Sequence, residues 1–325
     1  MNYRFVNRPK PIPLQEYGEA VAFLGERFSQ IEGVKTIYRF GNITTPGISD
    51  LDLLVVFKDN ARCTLTGFED LPERYKSVFT HGIMALKESH FAKNNYYTLW
   101  SRHSRVTGIA CINPIPERDQ EADKALRFQT AIEFLVANYI DLKVQQEYGT
   151  FKLRSLLQHM KGIWYDLEYL EIKDSPLHAP IIELKNWISD WFHHTPDDTM
   201  LSNWIRKWIP EYDRFTAQLL SEYPFYIPQM EYYKVAGNQI LKPDRKPSFQ
   251  RKGVLLPPVL SVIGKKYFNL QNKFNQFEFG IPITSRPPHT ILAERFEFLK
   301  DMKKYNRTYL PGFMTMTTSI TSKLI

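Results

Sequence analysis

The chain has 325 residues and a mass of 38.3 kDa, room for about two domains, with 43% hydrophobic and 24% charged residues and a mean hydropathy of −0.37. This composition excludes wholesale disorder, and no apolar run approaches the roughly 18–20 residues needed to cross a bilayer. The net charge of +7 is unevenly placed: from Glu231 onward 16 Lys and Arg face 6 Asp and Glu, whereas positions 1–230 carry 26 and 29. The N-terminus shows no signal-peptide pattern. Two cysteines, Cys63 and Cys111, are too few for a disulfide framework or a Cys-rich metal site. A cytoplasmic location without a membrane partner is therefore expected.

In chain order, Leu14 to Gln30 sets Leu14, Tyr17, Val21, Leu24 and Phe28 at helical spacing, which predicts an amphipathic helix. Gly33 ends it. Val34 to Phe40 is rich in β-branched and aromatic residues and stops at Gly41, a strand entering a turn. Asp50 to Phe57 is an apolar run of strand length with acids only near its start. A short helix around Leu71 to Phe79 and strands at Gly82 to Leu86 and Val106 to Ile112 follow.

From Asp119 the texture becomes helical. Long amphipathic segments run from Asp119 to Tyr148 and from Phe151 to Ile172, with further helices at Ile181 to Phe192 and Leu201 to Glu222. The segment from Tyr223 to about Pro288 reads as irregular with some strands, before a last helix at Thr290 to Lys304. The expected organisation is an α/β domain over 1–118, a mainly helical domain over 119–223 and a basic, irregular C-terminal segment over 224–325. In that last segment, basic residues interleave with aromatics, as in Lys265-Lys266-Tyr267-Phe268 and Lys273-Phe274. Such a mixture suits phosphate contacts and base stacking as well as a solvated face over an aromatic core.

Chemistry concentrates in Tyr38 to Val56. Strand alternation puts Asp50 and Asp52 on one face and Leu51 and Leu53 on the other. Two carboxylates so placed can share a divalent cation, and assembling them without one is costly because like charges oppose each other. The Gly-containing turn upstream leaves room for backbone amides to approach a triphosphate. This segment resembles the DNA polymerase beta-like nucleotidyltransferase superfamily, whose signature is a Gly-Ser turn followed about ten residues later by Asp-x-Asp on a hydrophobic strand. Gly41 matches the glycine, Asn42 stands in place of the serine, and Ser49-Asp50-Leu51-Asp52-Leu53 matches the second half.

The resemblance covers about Leu14 to Leu86 and implies a nucleotidyltransferase-type mixed sheet with helices. It further implies Asp50 and Asp52 as catalytic ligands of Mg²⁺ or Mn²⁺, with Gly41, Asn42 and Ser49 near the phosphates of a nucleoside triphosphate. The implied activity moves a nucleoside monophosphate to an acceptor hydroxyl. An RNA acceptor suits the basic C-terminal third, while a small hydroxylated molecule, a sugar or a protein suits the size equally. Family members use a third carboxylate on a later strand, but neither Gly82 to Leu86 nor Val106 to Ile112 contains one; Glu88 and Glu117 lie just beyond. The alternative is a degenerate fold that binds nucleic acid or protein without catalysis. Elsewhere, His193-His194 with Asp197-Asp198 reads as a turn between helices more than as a metal site, and Lys152, Arg154, His159 and Lys161 as a solvated helix face.

Overall fold

The computed structural model describes residues 3–65, 68, 71–99, 103–113, 117–228 and 232–325. In chain order come β1 (Arg4–Val6), α1 (Leu14–Ser29), β2 (Val34–Phe40), β3 (Asp52–Phe57), α2 (Glu73–Lys76), β4 (Met84–Lys87), α3 (Glu88–Tyr97) and β5 (His103–Gly108). Then follow α4 (Gln120–Glu147), β6 (Thr150–Lys152), α5 (Leu153–Tyr169), α6 (His178–Ser189) and α7 (Asp198–Glu222). The remainder holds β7 (Phe225–Tyr226), β8 (Tyr233–Ala236), β9 (Gln239–Pro243), β10 (Ser248–Gly253), a 3₁₀ turn (Pro258–Ile263), α8 (Lys265–Phe274), β11 (Asn275–Ile281), β12 (Ile283–Thr284), α9 (Thr290–Tyr309) and α10 (Thr321–Leu324). The chain is a mixed α/β protein.

It groups into two compact units, each discontinuous: Lys10–Leu126 with His289–Thr317 and Ile325, and Met1–Pro9 with Arg127–Pro288 and Thr318–Leu324. The three consecutive segments expected from the sequence are thus replaced by two interleaved units. The boundary falls inside α4, after Leu126, because the helix continues across a position where composition alone changes.

The first unit is built on a four-stranded sheet in the order β4-β3-β2-β5, with β2 antiparallel to β3 and β5, and β3 parallel to β4. Along central β3, Leu53, Val55 and Phe57 join Tyr17, Ala20, Leu24 and Phe28 of α1 in one core cluster. Leu54 and Val56 point the other way, into a second cluster with Phe91 of α3 and Leu299 and Met302 of α9. A strand covered on both faces must be apolar throughout, which is why this run does not alternate. Each such side chain, fully buried, contributes about 1.5–3 kcal/mol.

Helix α9 belongs to this unit through specific bonds. Asn306 Nδ2 donates to the Ala85 carbonyl (2.8 Å) and the Cys63 amide donates to the Tyr309 carbonyl (2.8 Å). After α9 the chain runs along β4, where Ala85 N donates to Met314 O and Met314 N to Ile83 O, each at 2.9 Å, covering that sheet edge.

β5 is displaced from the expected Val106 to Ile112. The apolar Ile109 and Ile112 that suggested a strand there are exposed, and the more polar stretch from His103 pairs with β2 instead. Gly108 ends the strand at φ +89°, and a Cβ there would lie 2.3 Å from the Lys35 carbonyl oxygen. Gly108→Ala should therefore cost at least about 2 kcal/mol of stability in urea unfolding; an unchanged midpoint would contradict this register.

In the second unit the stretch expected to be irregular contains a regular four-stranded sheet, β10-β11-β9-β8. Its prolines sit at element ends: Pro243 closes β9, and Pro257 and Pro258 open the 3₁₀ turn. Tyr267 and Phe268, expected among residues suited to stacking, are buried at 0% and 9% exposure. Phe274 is exposed.

Candidate functional site

The site lies where β3 begins. The ladder starts at Asp52, two residues later than expected, because the Leu51 amide donates to the Val78 carbonyl (2.9 Å) instead of to a neighbouring strand. Upstream, the loop between β2 and β3 is pinned by Tyr17 of α1. Its buried hydroxyl accepts from the Gly47 amide (2.9 Å) and donates to the Ser49 carbonyl (2.7 Å). Tyr17→Phe removes both bonds at once and is expected to lower stability by about 1–2 kcal/mol, seen as a lower thermal midpoint; an unaltered midpoint would show that the loop holds itself.

Within the loop Ser49 Oγ accepts from the Thr45 amide (3.1 Å) and lies 3.5 Å from Thr44 Oγ1, so this hydroxyl helps to shape the turn. Gly41 has φ +65°, and a Cβ on it would sit 3.8 Å from Asp52 Oδ2. The expected turn and the expected carboxylate are thus neighbours. Asn42 follows as an exposed residue.

Asp50 and Asp52 meet on a residue that the sequence did not single out. His81 Nε2 is 2.6 Å from Asp52 Oδ1 and 3.8 Å from Asp50 Oδ2. Its other nitrogen, Nδ1, is 2.8 Å from the Gly82 carbonyl oxygen. A carbonyl oxygen only accepts, so Nδ1 carries a proton, and Nε2 facing a carboxylate is best paired when it carries one too. The hydrogen bond to Asp52, followed by the attraction of both carboxylates, raises the imidazole pKa to about 9 against the opposition of burial. Asp50 is held above the ordinary carboxylate value by burial first and by the Asp52 charge second, although the Thr80 hydroxyl donates to its Oδ2.

The like-charge repulsion of the acidic pair is therefore relieved by an imidazolium set between the two groups. The parallel register explains its position. Leu54 pairs with Met84, so the residues just ahead of β4 fall beside those just ahead of β3.

Asp50, Asp52 and His81 offer ligand atoms within 4.8 Å of one another and are the one such His/Cys/Asp/Glu group among the described residues. The chemistry fits a divalent cation: two carboxylates suit Mg²⁺ or Mn²⁺, and an imidazole favours Mn²⁺ of the two. Neither later carboxylate joins them. Glu88 is tied to Lys35 in an ion pair, and Glu117 is exposed in the segment before α4.

The weaker candidates have other roles. Asp197 caps α7 by accepting from Met200 N (2.7 Å), Asp198 pairs with Arg8, and His194 pairs with Asp190. Lys152 lies 4.7 Å over the Phe268 ring, Arg154 is buried, and His159 is 4.0 Å from Asp141. Cys63 and Cys111 are free thiols. No protein-family model, curated protein or solved structure matches the chain.

Proposed function

We propose that the chain is a metal-dependent nucleotidyltransferase that moves a nucleoside monophosphate from a nucleoside triphosphate to an acceptor hydroxyl. The observation that carries this reading is the convergence of Asp50 and Asp52 beside the open Gly41 turn, where the missing side chain leaves space next to Asp52 Oδ2. The order of α1, β2, turn and β3, with the parallel partner β4, supports it alongside the sequence resemblance of Tyr38 to Val56.

Asp50 and Asp52 would hold Mg²⁺ or Mn²⁺, with His81 Nε2 as a further donor once its proton is released. A bound divalent cation supplies neutralisation of phosphate charge and polarises the acceptor and leaving oxygens. The chain's own contribution is positioning. Thr80 fixes the orientation of Asp50 by its hydrogen bond. Tyr17 and Ser49 hold the loop that places both acids. The Asn42 amide stands exposed in the turn, where it can donate to a phosphate oxygen. In the reaction a P–O bond forms between acceptor and α-phosphorus as the α–β bridging bond breaks, pyrophosphate leaves with that electron pair, and the acceptor proton passes to solvent.

One observation favours a second reading, a degenerate fold without catalysis: among the described residues no third carboxylate reaches the pair, and the β5 residue in the row of Phe40 and Asp52 is His103. Incubation of the protein with each α-labelled triphosphate and Mg²⁺ or Mn²⁺, with and without cell RNA, separates the two. Label transfer by the natural chain and not by Asp50→Asn/Asp52→Asn supports the enzyme. Absence of transfer with every triphosphate and acceptor pool rejects it in favour of the second reading.

A further inference from the structure

An unusual surface lies in the second unit, around the 3₁₀ turn and α8. From Arg245 to Phe277 the sequence has seven basic residues and no acidic one. In the same stretch Val259, Leu260, Val262, Ile263, Leu270 and Phe274 are exposed, Val262 at 74%. Val254, itself 70% exposed, is drawn to the end of α8 by its amide's bond to the Phe274 carbonyl (3.3 Å).

These apolar tips are held out by anchored neighbours. Ser261 is buried, Tyr267 is fully buried with its hydroxyl donating to the Tyr148 carbonyl (2.9 Å), and Pro258 packs so close to Gly149 that a Cβ on that glycine would lie 2.8 Å away. Gly264, at φ +62°, turns the chain from the 3₁₀ turn into α8, and Lys265 and Lys266 follow at once on the exposed side, with Lys273 near the other end. Exposed aliphatic side chains on anchored backbone thus stand directly beside exposed lysines in the chain.

We infer that this surface docks on an anionic lipid membrane, the aliphatic tips entering the headgroup boundary and the lysines resting at the phosphates. Three features select this occupant. The lysines complement a negatively charged surface, and basic residues beside exposed apolar ones are the two signals that together give firm peripheral binding. Protein interfaces are depleted in lysine and enriched in aromatics and arginine, the reverse of this patch. Nucleic-acid grooves stack bases on aromatics, but Tyr267 and Phe268 are buried and the exposed tips are aliphatic apart from Phe274. The absence of any long apolar run concerns spanning a bilayer and does not bear on surface docking; among the described residues no helix is long and apolar enough to cross. The inference is independent of the acidic site.

Co-sedimentation of the full chain with vesicles of phosphatidylcholine alone, and with about 30% phosphatidylglycerol added, tests it. Binding to the anionic vesicles is expected to exceed binding to the neutral ones at least ~10-fold and to weaken as salt is raised. Val262→Asp/Ile263→Asp and, separately, Lys265→Glu/Lys266→Glu should each reduce it ~10-fold or more. All four positions are exposed, so circular dichroism should show an unchanged fold. As a second readout, Val262→Trp should shift its fluorescence to the blue on anionic vesicles. The inference is overturned by failure to bind anionic vesicles, by equal binding to neutral ones, or by variants that bind as well as the natural chain. It is equally overturned if the aspartate variant abolishes self-association, or the glutamate variant abolishes RNA binding, while vesicles are ignored.

Discussion

Under the nucleotidyltransferase reading proposed above, Asp50→Asn/Asp52→Asn is expected to lower transfer by at least ~10³-fold, since charge stabilisation by a metal would be the main catalytic device of such a site. The change is nearly isosteric: the Thr80 hydroxyl keeps an oxygen acceptor at 50, and the His81 Nε2, once neutral with its proton on Nδ1, can accept from the new amide at 52, so the fold should persist. The consequence for His81 is separate and measurable. Its pKa of about 9 depends first on the hydrogen bond to ionised Asp52 and then on the charge there. With both charges gone it should fall back towards the ordinary 6.5 of a free imidazole, as read from the ring proton shifts in NMR. A variant that retains transfer would remove the acidic pair from the mechanism. A variant whose His81 still titrates near 9 would show that some other group holds the proton.

His81→Ala is expected to have the second largest effect, and its sign depends on metal. In the metal-free chain the substitution leaves Asp50 and Asp52 without their counter-charge, and stability at pH 6 should fall by about 1–2 kcal/mol after allowance for partial exposure. The natural chain should also lose stability with rising pH. A group whose folded pKa is raised from 6.5 to about 9 contributes fully below pH 6.5 and loses that contribution as the pH climbs through 9. Asp50, held above the ordinary carboxylate range by burial, loses its own contribution in the same direction, with rising pH on the acid side. In His81→Ala the step between pH 6.5 and 9 should vanish. Saturating Mn²⁺ should raise the thermal midpoint of the variant more than that of the natural chain, because the cation then supplies the only positive charge between the acids. A natural chain with flat stability from pH 6.5 to 9, or a variant that Mn²⁺ does not stabilise, would contradict this role.

The parts of the site that could be read from the chain are those encoded locally. The apolar run of β3 needs no partner to be recognised, and Gly41 announces its turn by having no side chain at a strand end. Asp50 and Asp52 stand two residues apart in one segment. His81 was hidden because its role depends on parallel pairing between β3 and β4, which sets residues thirty apart side by side. A single histidine between Thr80 and Gly82 has no local pattern. The one available signal was its place just ahead of a strand expected to follow β3.

The sequence pattern places β5 too late for the opposite reason. Ile109 and Ile112 have the composition of a strand but lie exposed past Gly108, while pairing with β2 selects the more polar residues before them. The attachment of α9 was equally non-local, resting on side-chain bonds such as Asn306 to the Ala85 carbonyl across more than two hundred residues. In the C-terminal third, the basic and aromatic residues were visible in sequence, but burial divides them. Tyr267 and Phe268 face inward while Val262 and Ile263 face outward, a distinction that short, irregular elements do not encode by periodicity.

Whether Asp50 and Asp52 hold a divalent cation is decided by titrating Mn²⁺ into the metal-free chain, with free Mn²⁺ followed by electron paramagnetic resonance. Saturable binding is expected, lost in Asp50→Asn/Asp52→Asn and tightening from pH 7 to pH 9 as His81 gives up its proton. Binding that is absent, or that is the same in the double variant, would contradict a cation at this pair.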